Sequence, residues 1–99
     1  MTRTELLAWL DARRPGPPPT LRAHLGRRAQ DGPSVLPDHL ADAGRALLAR
    51  VLARPEAGRE LALDLLAADA LVTYAFEAQA EHDAGGLVAL ARRVAGGDA

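Results

Sequence analysis

Alanine and leucine together supply 39 of the 99 residues, and this pair limits what the chain can fold into. Both are strong helix formers, whereas the residues that favour strands are scarce: there are five Val, no Ile, and one each of Phe, Trp and Tyr. No stretch alternates apolar with polar side chains, as a half-buried strand would. The sequence therefore predicts an all-α fold in a single domain over residues 1–99.

Capping residues, prolines and apolar periodicity divide the chain into helical segments. Thr2 and Glu5 match a capping box that starts the first helix, and Pro15 stops it near Arg14. Residues 15–19, Pro-Gly-Pro-Pro-Pro, predict a stiff corner. Four further helices are expected after it. The second covers about 19–30, the third begins at 34 or 36 and ends at 54, the fourth covers about 56–81, and the fifth covers about 83–94. The tail, residues 96–99, is expected to fray.

Two glycines carry structural predictions. Gly32 follows the expected end of the second helix, where a left-handed residue often closes the last turn. Gly44 lies in the middle of the third helix, where glycine is unfavourable, and this indicates close approach of another helix. Pro55 fits the first position of the fourth helix.

The fourth helix, about 56–81, is expected to be the central element. Its large apolar residues fall on two opposite stripes, which predicts neighbours on most sides; the stripes are Leu61, Leu65, Val72 and Phe76, and Leu63, Leu66, Leu71 and Tyr74. We expect a small compact bundle of four to five helices around it. Because alanine buries little area, the core is thin, which favours pairing into a homodimer.

Charge is divided unevenly along the chain. Residues 1–54 hold nine Arg and five acids, net +4, whereas residues 55–99 hold three Arg and eight acids, net −5, so the halves should attract. Five arginines near the proline corner form a possible interaction face: Arg13, Arg14, Arg22, Arg27 and Arg28. Aromatic platforms and a base-reading helix are missing, which argues against nucleic acid. Glu77 and Glu81, at the other end of the fourth helix, form a hypothetical docking patch.

Asp69 is the single residue that the helical wheel places most suggestively. It falls beside Leu65 and Phe76, midway along the central helix, which predicts a buried carboxylate. Such a group needs a hydrogen-bond donor, and Thr73 lies one turn later. We interpret Asp69 and Thr73 as a buried polar anchor that fixes helix register, with a ligand-facing acid as the alternative.

Several classes of site are excluded by composition. Cysteine is absent, so there is no disulfide, thiolate ligand or cysteine nucleophile. The histidines do not match metal spacing, and Ser34, the one serine, has no evident catalytic partner. We expect no cofactor, metal or enzymatic activity. Residues 1–10 lack a secretory apolar stretch and residues 61–80 carry three acids, which predicts a cytoplasmic protein outside the membrane.

One segment resembles a known family. Residues 68–77, Ala-Asp-Ala-Leu-Val-Thr-Tyr-Ala-Phe-Glu, are similar to a helix of the all-α trans-isoprenyl diphosphate synthases. The resemblance covers about ten residues. It implies no activity, because the two aspartate-rich motifs that hold magnesium and diphosphate in that family are missing here, and Asp38 and Asp42 each stand without an adjacent acid.

The sequence is best interpreted as a non-catalytic helical module for protein interaction, regulation or subunit contact, whose partner is another protein or a second copy. The alternative is a small-molecule binding module for an apolar tail, with a pocket lined by Trp9, Asp69, Tyr74 and Phe76. An arginine-patch nucleic-acid binder is the third reading.

Overall fold

The computed structural model describes residues 1–54 and 58–96, and its regular elements are all helical. Within these ranges α1 spans Arg3–Asp11, α2 Pro19–Arg28, α3 Leu36–Leu52, α4 Arg59–His82 and α5 Leu87–Val94, with a 3₁₀ turn at Ala84–Gly86. The predicted all-α class is confirmed. No helix in the described part of the chain combines the length and apolar character needed to cross a bilayer. The predictions for Pro55 and for residues 97–99 fall outside the described residues.

Helix α1 begins as its sequence predicts and ends earlier. Thr2 accepts a hydrogen bond from the Glu5 amide, and the Glu5 carboxylate accepts one from the Thr2 amide, so the capping box is formed. The amides of Ala12 and Arg13 bond to carbonyls three residues back. This tighter winding ends the helix at Asp11 instead of near Arg14.

The proline corner, which we define as residues 15–18, joins α1 to α2, and Pro19 opens α2. The helix ends at Arg28, where Ala29 turns to extended backbone while its amide still bonds to Leu25. The prediction for Gly32 is wrong, because among the described residues positive φ occurs at Gly58 and Gly96. A Cβ at Gly32 would lie 2.9 Å from His39 Nδ1, so a larger residue there would require the His39 ring to move.

Helices α3 and α4 form an antiparallel pair in close contact. A Cβ on Gly44 would lie 2.8 Å from Val72 Cγ2 and 3.2 Å from the Ala68 carbonyl oxygen, so the predicted close approach is confirmed. Ten residues later, Arg54 lies 2.9 Å from Asp64 of α4. Later residues of α3 therefore contact earlier residues of α4, so the two helices run in opposite directions.

The buried face of α4 is made mostly of alanine. Its buried residues are Asp64, Ala67, Ala68, Ala70, Leu71, Ala75 and Ala78. The predicted leucine stripes are wrong for Leu65 and Leu66, which are 50% and 49% exposed. Alanine side chains let the helix axes approach, and this contact places the larger leucines at the margin. The predicted central role is retained, since α4 packs against α2, α3 and α5.

Helix α5 covers one half of the outer face of the α3–α4 pair. Leu90 is buried against the core, and Arg93 forks onto Asp42 of α3 with contacts of 2.8 and 2.7 Å. Gly86 lies against Gln79 of α4, and Gly96 lies against the Arg45 guanidinium. These contacts place α5 over the N-terminal half of α3 and the C-terminal half of α4. Among the described helices, none lies over the other half of the same face.

Candidate interaction surface

A buried carboxylate joins three helices on the side of the α3–α4 pair that faces α2. Asp64 is fully buried, as is His24, whose Nε2 lies 2.6 Å from Asp64 Oδ1. Arg28 donates from Nε and Nη2 over 3.0 and 2.9 Å, and Arg54 Nη1 lies 2.9 Å from Oδ2. Residues of α2, of the segment just after α3 and of α4 are thereby tied to one group.

The hydrogen bonds around His24 define its role. Arg27 Nη2 lies 2.9 Å from His24 Nδ1, and because a guanidinium can only donate, Nδ1 is the acceptor. Nε2 therefore carries the hydrogen that is donated to Asp64. Both ring nitrogens of this buried side chain are engaged within the fold, which leaves neither for contact with a substrate.

The electrostatic balance at Asp64 favours the carboxylate form. Burial alone would raise its pKa, but hydrogen bonds from His24 and Arg28, with the charge of Arg28, outweigh burial and the pKa of Asp64 is lowered. Ligand atoms of His24, Glu60 and Asp64 lie within 4.8 Å of one another, a spacing that a metal ion would require. Two guanidiniums already hold the Asp64 oxygens, so the group acts as an internal anchor for cationic side chains.

The anchor predicted at Asp69 and Thr73 is wrong in its position. Both side chains are exposed, and Asp64, five residues earlier, is the buried acid. The error follows from the choice of buried face. The large leucines place the predicted buried face near Leu65. The face that is actually buried is the neighbouring one, which is rich in alanine and includes Asp64.

The arginines of the predicted interaction face make contacts within the chain. Arg22 forks onto Asp11 with contacts of 2.8 and 2.9 Å, and Arg14 donates to the carbonyls of Asp11 and Arg13. With Arg27 on His24 and Arg28 on Asp64, this face is largely paired internally. The attraction expected between the two charge halves is confirmed by Arg28 and Arg54 on Asp64. An external role for these arginines stays a prediction.

The acidic end of α4 is also met by this chain. Arg13 Nη2 lies 2.8 Å from Glu81 Oε2 and its Nη1 lies 4.0 Å from Glu77 Oε2. The Arg13 guanidinium carbon lies 4.2 Å from the Trp9 ring centroid, and Trp9 meets Tyr74 edge to face at 5.8 Å. The carboxylates thus hold α1 against α4, and a further docking role for Glu77 and Glu81 is untested.

An open groove of about 520 Å³ runs between the proline corner and α4. Asp69, Thr73 and Tyr74 line it from the α4 side, so part of the predicted small-molecule pocket is present. Trp9 and Phe76, which the sequence also placed there, do not line this groove. Its openness to solvent differs from the enclosed apolar cavity that retention of an apolar tail would favour.

Large apolar side chains are exposed on the half of the α3–α4 pair that α5 leaves uncovered. Leu48 is 39% exposed, Leu52 is 76% exposed and Leu65 is 50% exposed, and Leu61 is partly exposed. We call these four residues the leucine patch. Leu48 and Leu52 lie between Gly44 and Arg54 along α3, and so face the stretch of α4 between Val72 and Asp64, which includes Leu65.

Helical geometry places these residues on one side of the pair. Leu47 and Leu71 mark the side that faces α2, because both line a cavity with Arg28. Leu48 is turned by about 100° from Leu47, and Leu65 by about 120° from Leu71. In an antiparallel pair both rotations lead to the same face, away from α2. The leucine patch therefore continues the face on which α5 lies.

Comparison with protein-family models, curated proteins and solved structures found no match for this chain, and the resemblance of residues 68–77 to the isoprenyl diphosphate synthases is not carried further.

Proposed function

We propose that the protein is a non-catalytic helical interaction module that pairs with a second copy of itself through the leucine patch. The observation that carries the proposal is the exposure of Leu48, Leu52 and Leu65 beside a helix contact in which Gly44 meets α4 closely. Apolar side chains of this size contribute about 1.5–3 kcal/mol each when they are fully withdrawn from water. Leu48 and Leu65 are already at least half covered, so covering the patch gains part of this free energy for each of them and most of it for Leu52.

A second copy is the occupant that best fits the shape of this face. The leucine patch lies on two antiparallel helices, and two such pairs stacked face to face make a four-helix bundle, a common way to bury two apolar helix faces. An isologous pair also needs one surface only, which a single chain supplies. Six of the buried apolar residues that the structure describes are alanine, which buries little area, so association would add to the stability of the monomer.

The side chains most suited to chemistry support a role in contacts. His24 and Asp64 are buried in hydrogen bonds with arginines, and four of the five arginines near the proline corner bond to side chains of this chain. An arginine that is already paired contributes less to binding a phosphate backbone than a free one. Nucleic-acid binding is therefore the least supported of the three hypotheses, after protein interaction and small-molecule binding.

Sedimentation equilibrium over a range of protein concentrations tests the proposal. The wild-type chain is expected to sediment as a dimer that dissociates on dilution. A variant with Leu48→Glu and Leu65→Glu is expected to be a monomer at every concentration while its helical circular dichroism is retained, because both positions are exposed in the isolated chain.

Val88→Glu is the matched control. Val88 is 65% exposed on α5, outside the leucine patch, so this variant should dimerise like the wild type. A wild-type chain that stays monomeric at about 1 mM would overturn the proposal. The free energy of association would then be weaker than about −4.1 kcal/mol. Equal loss of association in the Val88 variant would also overturn it.

The groove beside Asp69 supports the small-molecule reading as a second candidate. An exposed carboxylate, the Tyr74 ring and proline walls offer polar and apolar contacts to a ligand of modest size. An alkyl amine is a suitable probe because it carries a cation and an apolar tail. Saturable binding of dodecylamine that is lost in Asp69→Asn but kept in Asp83→Asn would favour this reading, and equal binding by all three proteins would remove it.

A further inference from the structure

We infer that the two copies pair with their α4 helices antiparallel across a two-fold axis near Leu65, with Arg59 of each copy paired to Asp69 of the other; this rests on the proposed function. The inference names the register of the dimer and the residues that select it. It is argued from the position of α5, the axial offsets along α4 and the charges beside the leucine patch.

The position of α5 selects the relative orientation. This helix occupies the outer face over the N-terminal half of α3, where Arg93 is bound to Asp42. A second copy that covers the leucine patch with its helices in the same direction would bring its α3–α4 pair into the layer that the first α5 fills. A two-fold axis perpendicular to the helices sends the second α5 away from the first copy. The antiparallel arrangement is thus the one free of collision.

The axial offsets along α4 then bring opposite charges together. Asp69 lies four residues after Leu65, and Arg59 lies six residues before it. In an antiparallel pair centred on Leu65, residues after the centre in one copy face residues before it in the other. The two groups differ by two residues in height, about 3 Å at 1.5 Å per residue. An arginine side chain spans that difference.

The rotational positions agree with the axial ones. Around α4, Asp69 is turned by about 40° from Leu65, and Arg59 by about 120° in the same direction. Both therefore lie on the same flank of the contact, the flank away from α3. A two-fold of this kind keeps equivalent flanks together, so Arg59 and Asp69 meet twice in the dimer.

Both groups are open to such a contact. Arg59 and Asp69 are exposed, and within residues 1–54 and 58–96 neither forms a hydrogen bond or ion pair. Pairs at the rim of an apolar interface set register and partner choice more than affinity. We therefore assign the specificity of self-pairing to these two residues, and the affinity to the leucine patch.

Charge exchange tests the register. Asp69→Arg and Arg59→Asp should each raise the dissociation constant of the dimer by about tenfold at low salt. Each substitution turns two symmetry-related attractive contacts into repulsive ones. The double variant with both changes should return to within about threefold of wild type. Arg50→Asp, an equal charge change at an exposed position of α3 that lines the cavity with Arg28, should leave the dissociation constant unchanged.

The outcomes separate the two proposals. A dimer that is lost with Leu48→Glu and Leu65→Glu but is indifferent to Asp69→Arg and Arg59→Asp overturns the register and leaves the proposed function standing. A double variant no tighter than either single variant also overturns the register. A wild-type monomer overturns the proposed function itself. Sedimentation equilibrium in 50 mM and 500 mM salt measures these dissociation constants. Recovery in the double variant, together with a larger effect of the single substitutions at low salt, supports the pairing.

Discussion

His24 donates through Nε2 to Asp64 Oδ1 over 2.6 Å, although the two residues are 40 positions apart in the chain. Their contact fixes α2 against the start of α4 without an apolar side chain between them. Arg28 and Arg54 complete the shell around the carboxylate. The relative orientation of these helices thus depends on one buried acid. Substituting Asp64 therefore tests directly how the fold is held together.

Asp64→Ala is expected to lower the free energy of unfolding by about 3–5 kcal/mol, because it leaves buried His24 and two guanidiniums without their acceptor. Urea denaturation followed by circular dichroism measures the loss. Asp69→Ala is the matched control and should change stability by less than about 0.5 kcal/mol, since Asp69 is exposed. Equal effects of the two substitutions would contradict the assignment of Asp64 as the anchor.

Acid should destabilise the protein through the same group. Burial opposes ionisation of Asp64, but its hydrogen bonds from His24 and Arg28 hold the folded-state pKa below the ordinary value of about 3.9. Its stabilising contribution is therefore complete above that value and is lost as pH falls through the folded pKa. The pKa of Asp42 is lowered in the same direction by its hydrogen bond with Arg93.

Carbon-detected NMR of the carboxyl groups measures this shift directly. The Asp64 carboxyl carbon should titrate below about 3.9, and the urea midpoint should fall over the same range of pH. A midpoint for Asp64 above its ordinary value would show that burial outweighs the hydrogen bonds.

Gly44→Ala is expected to destabilise the protein even though alanine favours helix by about 1 kcal/mol. The added Cβ would lie 2.8 Å from Val72 Cγ2 and 3.2 Å from a backbone oxygen, and a net loss of about 1–2 kcal/mol follows from overpacking. Thermal and urea unfolding measure it. Combining the change with Val72→Ala removes the nearest clash, so the double variant should lose less than the sum of the two single variants.

Arg93→Ala is expected to loosen α5 with little effect on the rest of the fold. Arg93 forks onto Asp42 across partly exposed side chains, so global stability should fall by less than about 1 kcal/mol. Hydrogen exchange at the amides of α5 should accelerate while exchange in α3 and α4 is unchanged. Arg92→Ala, at the exposed neighbouring position, is the control. Unchanged protection of α5 in the Arg93 variant would contradict its role as a clamp.

Much of the fold is predictable because its local signals agree with one another. The capping box at Thr2, the proline corner and the glycine at position 44 each state a backbone requirement that does not depend on distant residues. Helix ends shift by a few residues where the last turn tightens, as at Ala12. The choice between the two faces of α4 is different, since it depends on which helices pack there.

The candidate site was missed for that reason. A helical wheel weighted by hydrophobicity favours the leucines, and it placed Asp69 inward and left Asp64 unnoticed. The signal that would have found Asp64 is the recurrence of alanine at 67, 68, 75 and 78 with helical spacing, on the face that meets Gly44. Close packing selects this face by volume, and two donors to Asp64, His24 and Arg28, come from α2, 40 and 36 residues earlier.

The alanine face of α4 also sets how the chain can vary. Where backbones nearly touch, as at Gly44 and Ala68, a larger residue pushes two rods apart, whatever its polarity. Mutational tolerance along this side should thus track bulk, with serine accepted more readily than isoleucine. On the outer side, by contrast, methionine or phenylalanine should replace Leu65 without harm to the isolated subunit.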